Sequence, residues 1–392
     1  MLNEHLVGLR CMRCHRQFPD FDLYSCPRCG GVLETIYEPQ SFEVKKGEDM
    51  WRYSPLLPTK RRTRLRVGGT PLYRLDDNIY IKDDTRNPTH SLKDRASAVV
   101  VQLAKEFGYR AVACASTGNA AVSLAGISAS EGIPSYILVP NSISKEKLCL
   151  LLVFGAHVLL IDASYDDCFD LCTELAEGEG WYNRNTAYNP YTLDGKKTVA
   201  FEIADQLHYQ VPDRVYVPVG DGCIISAVWK GFRELYALGV IDRLPELVGV
   251  QAEGCSPLAT AFDRGVDRIE RVQPDTLAES IAVGVPRNGE MALRDVRASG
   301  GKFVTVSDGE MVEAMKHLAS TVGIFGELAG VASMAGLMKE QREGEKKGKE
   351  NETAVVLITG SGVKDMERTS DFLQRPPVLE PTIGALRSAL RC

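Results

Sequence analysis

The chain has 392 residues, 44% of them hydrophobic and 25% charged, which suits two or three ordinary globular domains. A formal net charge of -6 argues against a general nucleic-acid or membrane-surface binder. No apolar run reaches the length of a membrane span, and Met1 to Arg10 lacks a signal-peptide core, so the expected location is cytoplasmic. Eleven cysteines in such a chain point to reduced thiols and a metal site rather than a disulfide framework.

Cys11-Met12-Arg13-Cys14 and Cys26-Pro27-Arg28-Cys29 are two Cys-x-x-Cys knuckles. Each sets two thiolates on one tight turn, so Cys11, Cys14, Cys26 and Cys29 can surround a structural zinc ion. A segment this short buries too little apolar surface alone, and metal binding would supply its folding energy. Four thiolates leave no open position for catalysis; His15 is a spare candidate ligand. Glu43 to Thr59 reads as a linker or an ordered lead-in. The basic run Lys60 to Arg66 reads as a solvated face or a subunit contact, with nucleic-acid binding the lesser alternative in an acidic chain.

Ile79-Tyr80-Ile81 is β-branched and aromatic and predicts a short strand. Asn87-Pro88-Thr89 is turn chemistry, Ser91 is the expected N-cap, and Leu92 to Phe107 carries apolar residues at helical spacing. Lys93 then falls in the first turn of a helix, where a positive charge is disfavoured and a neutral amine is easier to hold. Only the neutral amine attacks a carbonyl to form a Schiff base. Beyond it, strands at 111–115, 135–139 and 158–161 alternate with helices at 119–131, 145–154 and 166–176. A second series has strands at 214–218, 247–251, 303–306 and 353–358. Its helices fall at 197–206, 223–238, 308–322 and 329–340. This alternation predicts parallel sheet with crossover helices. The mixed-charge run 339–352 reads as an exposed helix end and loop, and 371–392 as a tail on the surface or on a neighbour.

Three loops at strand ends carry the remaining chemistry. Ser116-Thr117-Gly118-Asn119 offers hydroxyls, an amide and backbone N–H groups at a helix start, a fitting place for a substrate carboxylate. Gly220-Asp221-Gly222-Cys223 resembles a phosphate cradle without the lysine of nucleotide hydrolases. Asp221 would repel phosphate unless its side chain turns away. Thr359 follows the last strand and suits a weak hydrogen bond to a ring nitrogen. Together they describe a site for pyridoxal 5'-phosphate.

The combination resembles the fold-type-II pyridoxal-phosphate enzymes, and within them the threonine synthase family. Asn87 to Arg95 is similar to that family's lysine motif, Ser116 to Asn119 to its asparagine loop, Gly220 to Cys223 to its phosphate loop and Thr359 to Asp365 to its TGSGLKD segment. Tyr188 to Tyr191, and Glu327 with Ala329, stand in the expected order. The resemblance implies a tryptophan synthase β-like α/β fold with two lobes of mostly parallel sheet. Residues 46–100 and 196–370 would form the larger, cofactor-binding lobe and 101–195 the smaller one, after a ribbon at 1–45. Lys93 would carry the cofactor and shuttle protons. Asn119 would bind the cofactor's 3-hydroxyl oxygen, the 220–223 backbone its phosphate, and Thr359 would face its ring nitrogen. The implied reaction converts O-phospho-L-homoserine and water to L-threonine and phosphate. A homodimer is the expectation from base rates for cytosolic enzymes.

The chain departs from the family pattern at four places. Ala120 replaces a threonine, Thr192 an arginine that helps hold the substrate phosphate, and His90 and Leu92 a glycine and a phenylalanine. Lys196, Lys197 and Arg184 are candidates to supply the lost charge. The alternatives are a β-eliminating or β-replacing enzyme on serine, threonine or O-phosphoserine, such as a dehydratase or a cysteate synthase, and a non-catalytic binding protein that works through its ribbon. Asp94 and the short 220–223 loop weigh against a dehydratase.

Overall fold

The computed structural model describes residues 2–39, 42–344 and 352–390; most of the mixed-charge run beyond 344 lies outside the described residues. The first unit is an antiparallel sheet of β1 (Leu6–Cys11), β2 (Gln17–Phe18) and β3 (Leu33–Tyr37), in the order β2-β1-β3. The turns after β1 and before β3 carry the two cysteine pairs. The four sulfurs lie within 4.8 Å of one another, with Cys11–Cys29 at 3.5 Å and Cys14–Cys26 at 3.7 Å. Sulfurs at zinc-bond length on a tetrahedron sit about 3.8 Å apart, so the cluster is shaped for that ion. His15 is not in the group.

The 43–59 stretch is the ordered lead-in, not a linker: Met50 and Trp51 are fully buried in a short 3-10 helix over Met50–Leu56. Of the basic run, Arg61, Arg62, Arg64 and Arg66 are exposed.

After this come β4 (Leu72–Arg74), β5 (Ile79–Asp83), α1 (Lys93–Glu106), β6 (Val112–Ala115), α2 (Asn119–Glu131), β7 (Ser135–Pro140), α3 (Lys145–Val153), β8 (His157–Ile161), α4 (Tyr165–Glu179) and β9 (Tyr182–Asn183). The chain continues through α5 (Tyr191–Gln206), β10 (Arg214–Pro218), α6 (Cys223–Ala237), β11 (Glu246–Ala252), α7 (Pro257–Asp263), α8 (Gly289–Ala298) and β12 (Lys302–Val306). It closes with α9 (Asp308–Val322), α10 (Leu328–Arg342), β13 (Ala354–Ile358), α11 (Met366–Ser370) and α12 (Ile383–Ala389).

These strands form two sheets. The larger, β12-β11-β10-β13-β5-β4, is parallel except for the antiparallel edge strand β4. Its central strands are continuous apolar runs because helices cover both faces. Val215, Val217, Val355 and Leu357 pack toward α5 and α6, while Tyr216, Val356 and Ile358 pack toward α9 and α10. The smaller sheet, β8-β7-β6-β9, is wholly parallel. Val112, Cys114 and Ile137 face α1 and α2, and Ala113, Ala115 and Leu138 face α4.

Helix α1 crosses α5 so closely that a Cβ on Gly195 would lie 2.0 Å from the Arg95 carbonyl oxygen, which only glycine avoids. The ribbon docks on the other side of α5. Thr35 Oγ1 and the Tyr37 hydroxyl donate to Asp194 at 2.8 and 3.0 Å, and Lys230 Nζ donates to the Thr35 carbonyl at 2.7 Å.

Four expectations shift. Leu92, not Ser91, holds the N-cap position of α1, without a side-chain bond. Helix α5 begins six residues before the expected 197 because Pro190 starts it and Gly195 breaks its pattern only in sequence. Short β4, β9 and α7 offer too few residues for a periodicity to be read, and sequence reasoning missed α8 although it is amphipathic.

Candidate active site

The site begins under α1, with charge. Arg95 is fully buried; its Nε donates to Asp84 Oδ2 at 2.7 Å and its Nη1 to Glu202 Oε1 at 2.6 Å. Lys82, also fully buried, donates to Glu202 Oε2 at 2.7 Å. Two cations and two carboxylates thus neutralise one another and clamp β5, α1 and α5 together. Asp94 holds the turn above: its Oδ2 accepts from the Thr89 N–H at 2.6 Å, and its Oδ1 accepts from the Thr89 hydroxyl. The turn passes through His90 at φ 64°, the left-handed region that favours glycine. His90 and Leu92 are then tied to the last strand's loop, by Ser361 N–H to the His90 carbonyl at 3.0 Å and Leu92 N–H to the Thr359 carbonyl at 2.9 Å.

Lys93, the first residue of α1, is delivered by this scaffold into a cavity of about 460 Å³ at the carboxyl ends of β6, β10 and β13. Burial, and next the Arg184 guanidinium, push its amine below the ordinary lysine value, toward the neutral form. Every residue expected to hold the cofactor or the substrate carboxylate lines this cavity: Lys93, then Ser116, Thr117, Gly118 and Asn119 after β6. Gly220, Asp221, Gly222 and Cys223 follow β10, and Thr359 follows β13.

Gly222 caps α6 at φ 88°, and a Cβ there would sit 2.7 Å from that of Ala292. A Cβ on Gly220 would meet the Ile281 backbone at 2.9 Å. The loop therefore presents bare backbone and the unpaired N–H groups of a helix start to the cavity. Asp221 turns away from that cradle, its Oδ1 accepting the Arg287 N–H at 2.5 Å. Burial raises its carboxyl toward neutrality.

Asn119 starts α2, its Nδ2 donating to Glu327 Oε1 at 2.5 Å while Lys364 Nζ donates to its Oδ1. The amide is thereby fixed by two charged neighbours from the large-sheet side. Lys364 also holds the Thr89 and His90 carbonyls, at 3.2 and 3.1 Å. Sequence reasoning missed Lys364 as a separate element; its only signal was its place in the 359–365 segment. It also missed Tyr165, Ser280 and Arg287 as cavity-lining residues, which carry no local motif.

The candidates for the charge missing at position 192 separate cleanly. Thr192 is buried and bonds the Asn189 carbonyl through Oγ1 at 2.9 Å, within its own helix turn. Lys197 is spent on Asp194 and Glu234, at 2.9 and 2.8 Å, beneath the ribbon. Arg184 and Lys196 are fully buried, and Arg184 Nη2 and Lys196 Nζ have no hydrogen-bond partner among the described residues.

A lowered amine, a bare helix start, buried cations without counter-charge and a hydroxyl at a strand end fit an aldehyde-bearing aromatic phosphate. Residues 63–360 match the family described as pyridoxal-phosphate dependent enzyme. The fold is that of maize serine racemase (TM-score 0.66, 21% identity, 77% of this chain and 92% of that one). It is also that of the processed form of threonine deaminase isoform 2 from Solanum lycopersicum (TM-score 0.66, 20% identity, 86% and 93%). Fold and site together define a fold-type-II pyridoxal-phosphate-dependent enzyme. The threonine synthases of Methanocaldococcus jannaschii and Methanosarcina acetivorans are 40% and 39% identical to this chain, over 97% and 98% of its length and 99% of theirs. That of Mycobacterium tuberculosis strain H37Rv is 37% identical over 76% of this chain and 82% of its own. The chain belongs to the threonine synthase family, as a pyridoxal-phosphate-dependent lyase of amino-acid metabolism.

Proposed function

We propose that the protein converts O-phospho-L-homoserine and water to L-threonine and phosphate. The observation that carries this reading is the convergence of the lowered Lys93 amine with all three strand-end loops on one cavity. Lys93 would hold the cofactor covalently, Asn119 its ring hydroxyl oxygen, the backbone of Gly220, Asp221, Gly222 and Cys223 its phosphate, and Thr359 its ring nitrogen. The bound cofactor supplies an electron sink for charge that develops beside the substrate's amino group. Thr359 is neutral, so it leaves that sink weaker than a carboxylate partner would.

In this reading the Ser116-Thr117-Gly118 turn binds the substrate carboxylate through the N–H groups that open α2. Lys93 Nζ takes the proton from the substrate α-carbon and then one from the β-carbon, so that phosphate leaves the γ-carbon. Protons return to the γ- and α-carbons, and water adds its hydroxyl at the β-carbon and gives up its own proton. The cavity walls from both sheets hold the substrate between Lys93 and the anion-binding loops, which supports positioning ahead of chemistry. Cytoplasmic location and a homodimer belong to the same proposal.

The test is phosphate release from O-phospho-L-homoserine with threonine as the coupled product. Intact substrate, with pyruvate or 2-oxobutanoate formed instead from free serine or threonine, refutes it in favour of a dehydratase.

A further inference from the structure

A buried cation without a counter-ion is costly, because its hydration is lost and nothing replaces it. Two such cations lie near each other behind the cavity wall, neither of them among its lining residues. Arg184, on the loop after β9, donates from Nη1 to the Thr186 hydroxyl at 3.1 Å and from Nε to Ser97 Oγ at 3.4 Å, both neutral partners. Thr186 itself lines the cavity. Lys196, on α5, has no hydrogen-bond partner for its ammonium among the described residues. The titratable groups acting on Lys196 include Cys223, Lys93, Arg184 and Asp221. Three of those four, Lys93, Asp221 and Cys223, line the cavity. Those acting on Arg184 include Cys114, Cys223, Tyr165 and Asp94. No salt bridge to a carboxylate reaches either cation among the described residues, and Asp221 is turned to the Arg287 backbone. Burial depresses both groups, Lys196 to about 7.

We propose that Arg184 and Lys196 are the counter-charges of a phosphoryl group bound in this cavity, replacing from the β9 loop and the middle of α5 the charge absent at Thr192. The inference rests on the reading of the site as one for phosphorylated ligands, and it names the residues that recognise them. A dianion beside Lys93, Arg184 and Lys196 completes their hydrogen bonding and restores electrical balance, which a neutral or singly charged ligand does only in part. Two ligands carry that group, the cofactor and the substrate, and the same pair of cations suits either.

The experiment uses full-length protein with Lys196→Met, Lys196→Arg and Arg184→Met. Apoenzyme is titrated with pyridoxal 5'-phosphate and with pyridoxal; holoenzyme is titrated with inorganic phosphate, and its KM for O-phospho-L-homoserine is measured. If the group is the substrate's, inorganic phosphate binding and KM weaken roughly tenfold to a hundredfold in Lys196→Met and Arg184→Met, with cofactor loading unchanged. If it is the cofactor's, the preference for pyridoxal 5'-phosphate over pyridoxal shrinks by that factor instead. Either result supports the proposal, as does recovery in Lys196→Arg. Binding at pH 8 should also draw about one proton from solution in the wild type, because Lys196 is charged only when its partner arrives; Lys196→Met should abolish this uptake. Ligand-free Lys196→Met should melt no lower than the wild type, since it loses a buried amine that has no hydrogen-bond partner among the described residues. Wild-type affinity for both phosphoryl groups in folded Lys196→Met overturns the proposal, whether or not Arg184→Met folds. The proposed reaction fails separately, if the wild-type holoenzyme leaves O-phospho-L-homoserine intact while the phosphate titrations still report on the pair.

Discussion

Replacing Arg95 by methionine tests whether the buried ion cluster is what places Lys93. The substitution removes four of the guanidinium's hydrogen bonds to Asp84 and Glu202, between 2.6 and 2.8 Å. Glu202 keeps Lys82 at 2.7 Å, but Asp84 is left, among the described residues, with the Thr70 hydroxyl at 2.7 Å as its one side-chain donor. A neutral cluster becomes a buried negative one. Breaking such a pair costs about 3–5 kcal/mol. Urea unfolding followed by tryptophan fluorescence should report a loss of that order, with a weaker cofactor absorbance band, because Lys93 stands two residues upstream. The double variant Arg95→Met/Asp84→Asn removes one charge of each sign and should recover at least about 1 kcal/mol of the loss. The pH dependence has a definite sign. Burial pushes Glu202 up, but Arg95 and then Lys82 outweigh it and hold its carboxyl below the ordinary 4.5. Its contribution is therefore fully present above that value and is lost as the pH falls below it. A loss under about 1 kcal/mol in the single variant, or a further loss in the double, would refute the reasoning.

His90→Gly should stabilise the protein by about 0.5–1 kcal/mol, since the left-handed backbone at φ 64° strains histidine more than glycine gains entropy on unfolding; an unchanged or lower melting temperature contradicts this. Apoenzyme should react with pyridoxal 5'-phosphate at a rate that falls as the pH drops through a Lys93 value lower than ordinary lysine, and Arg184→Met should move that profile toward alkaline pH; a profile centred on the ordinary lysine value in the wild type counts against it. A zinc chelator should loosen the ribbon, read as proteolytic cleavage confined to residues 2–39; resistance equal to that of the untreated protein argues that the four cysteines hold no metal.

The parts of the molecule that sequence made legible are those whose chemistry is local. The cysteine knuckles announce themselves by spacing, the β5–α1 turn by Asn87-Pro88-Thr89, and the glycine loop by its place between an apolar strand and a helix. Parallel strands such as Ala354–Ile358 read clearly because burial on both faces makes them wholly apolar. What stayed hidden depends on distant partners. Asp194 lies one turn from Lys197 on α5, but nothing local announces Glu234, 37 residues on, or that the neighbouring Lys196 has no partner among the described residues. Ser91 looked like a cap, yet its backbone bridges Gly360 and its hydroxyl makes no hydrogen bond among the described residues. The Lys364–Asn119 contact joins residues 245 apart in sequence, beyond any periodicity.

The most direct test of the central claim is to load the protein with pyridoxal 5'-phosphate, reduce it with borohydride and map the modified peptide by mass spectrometry. The account predicts a single label on Lys93, absent from Lys93→Ala. A label on Lys196 or Lys364, or none, would contradict it.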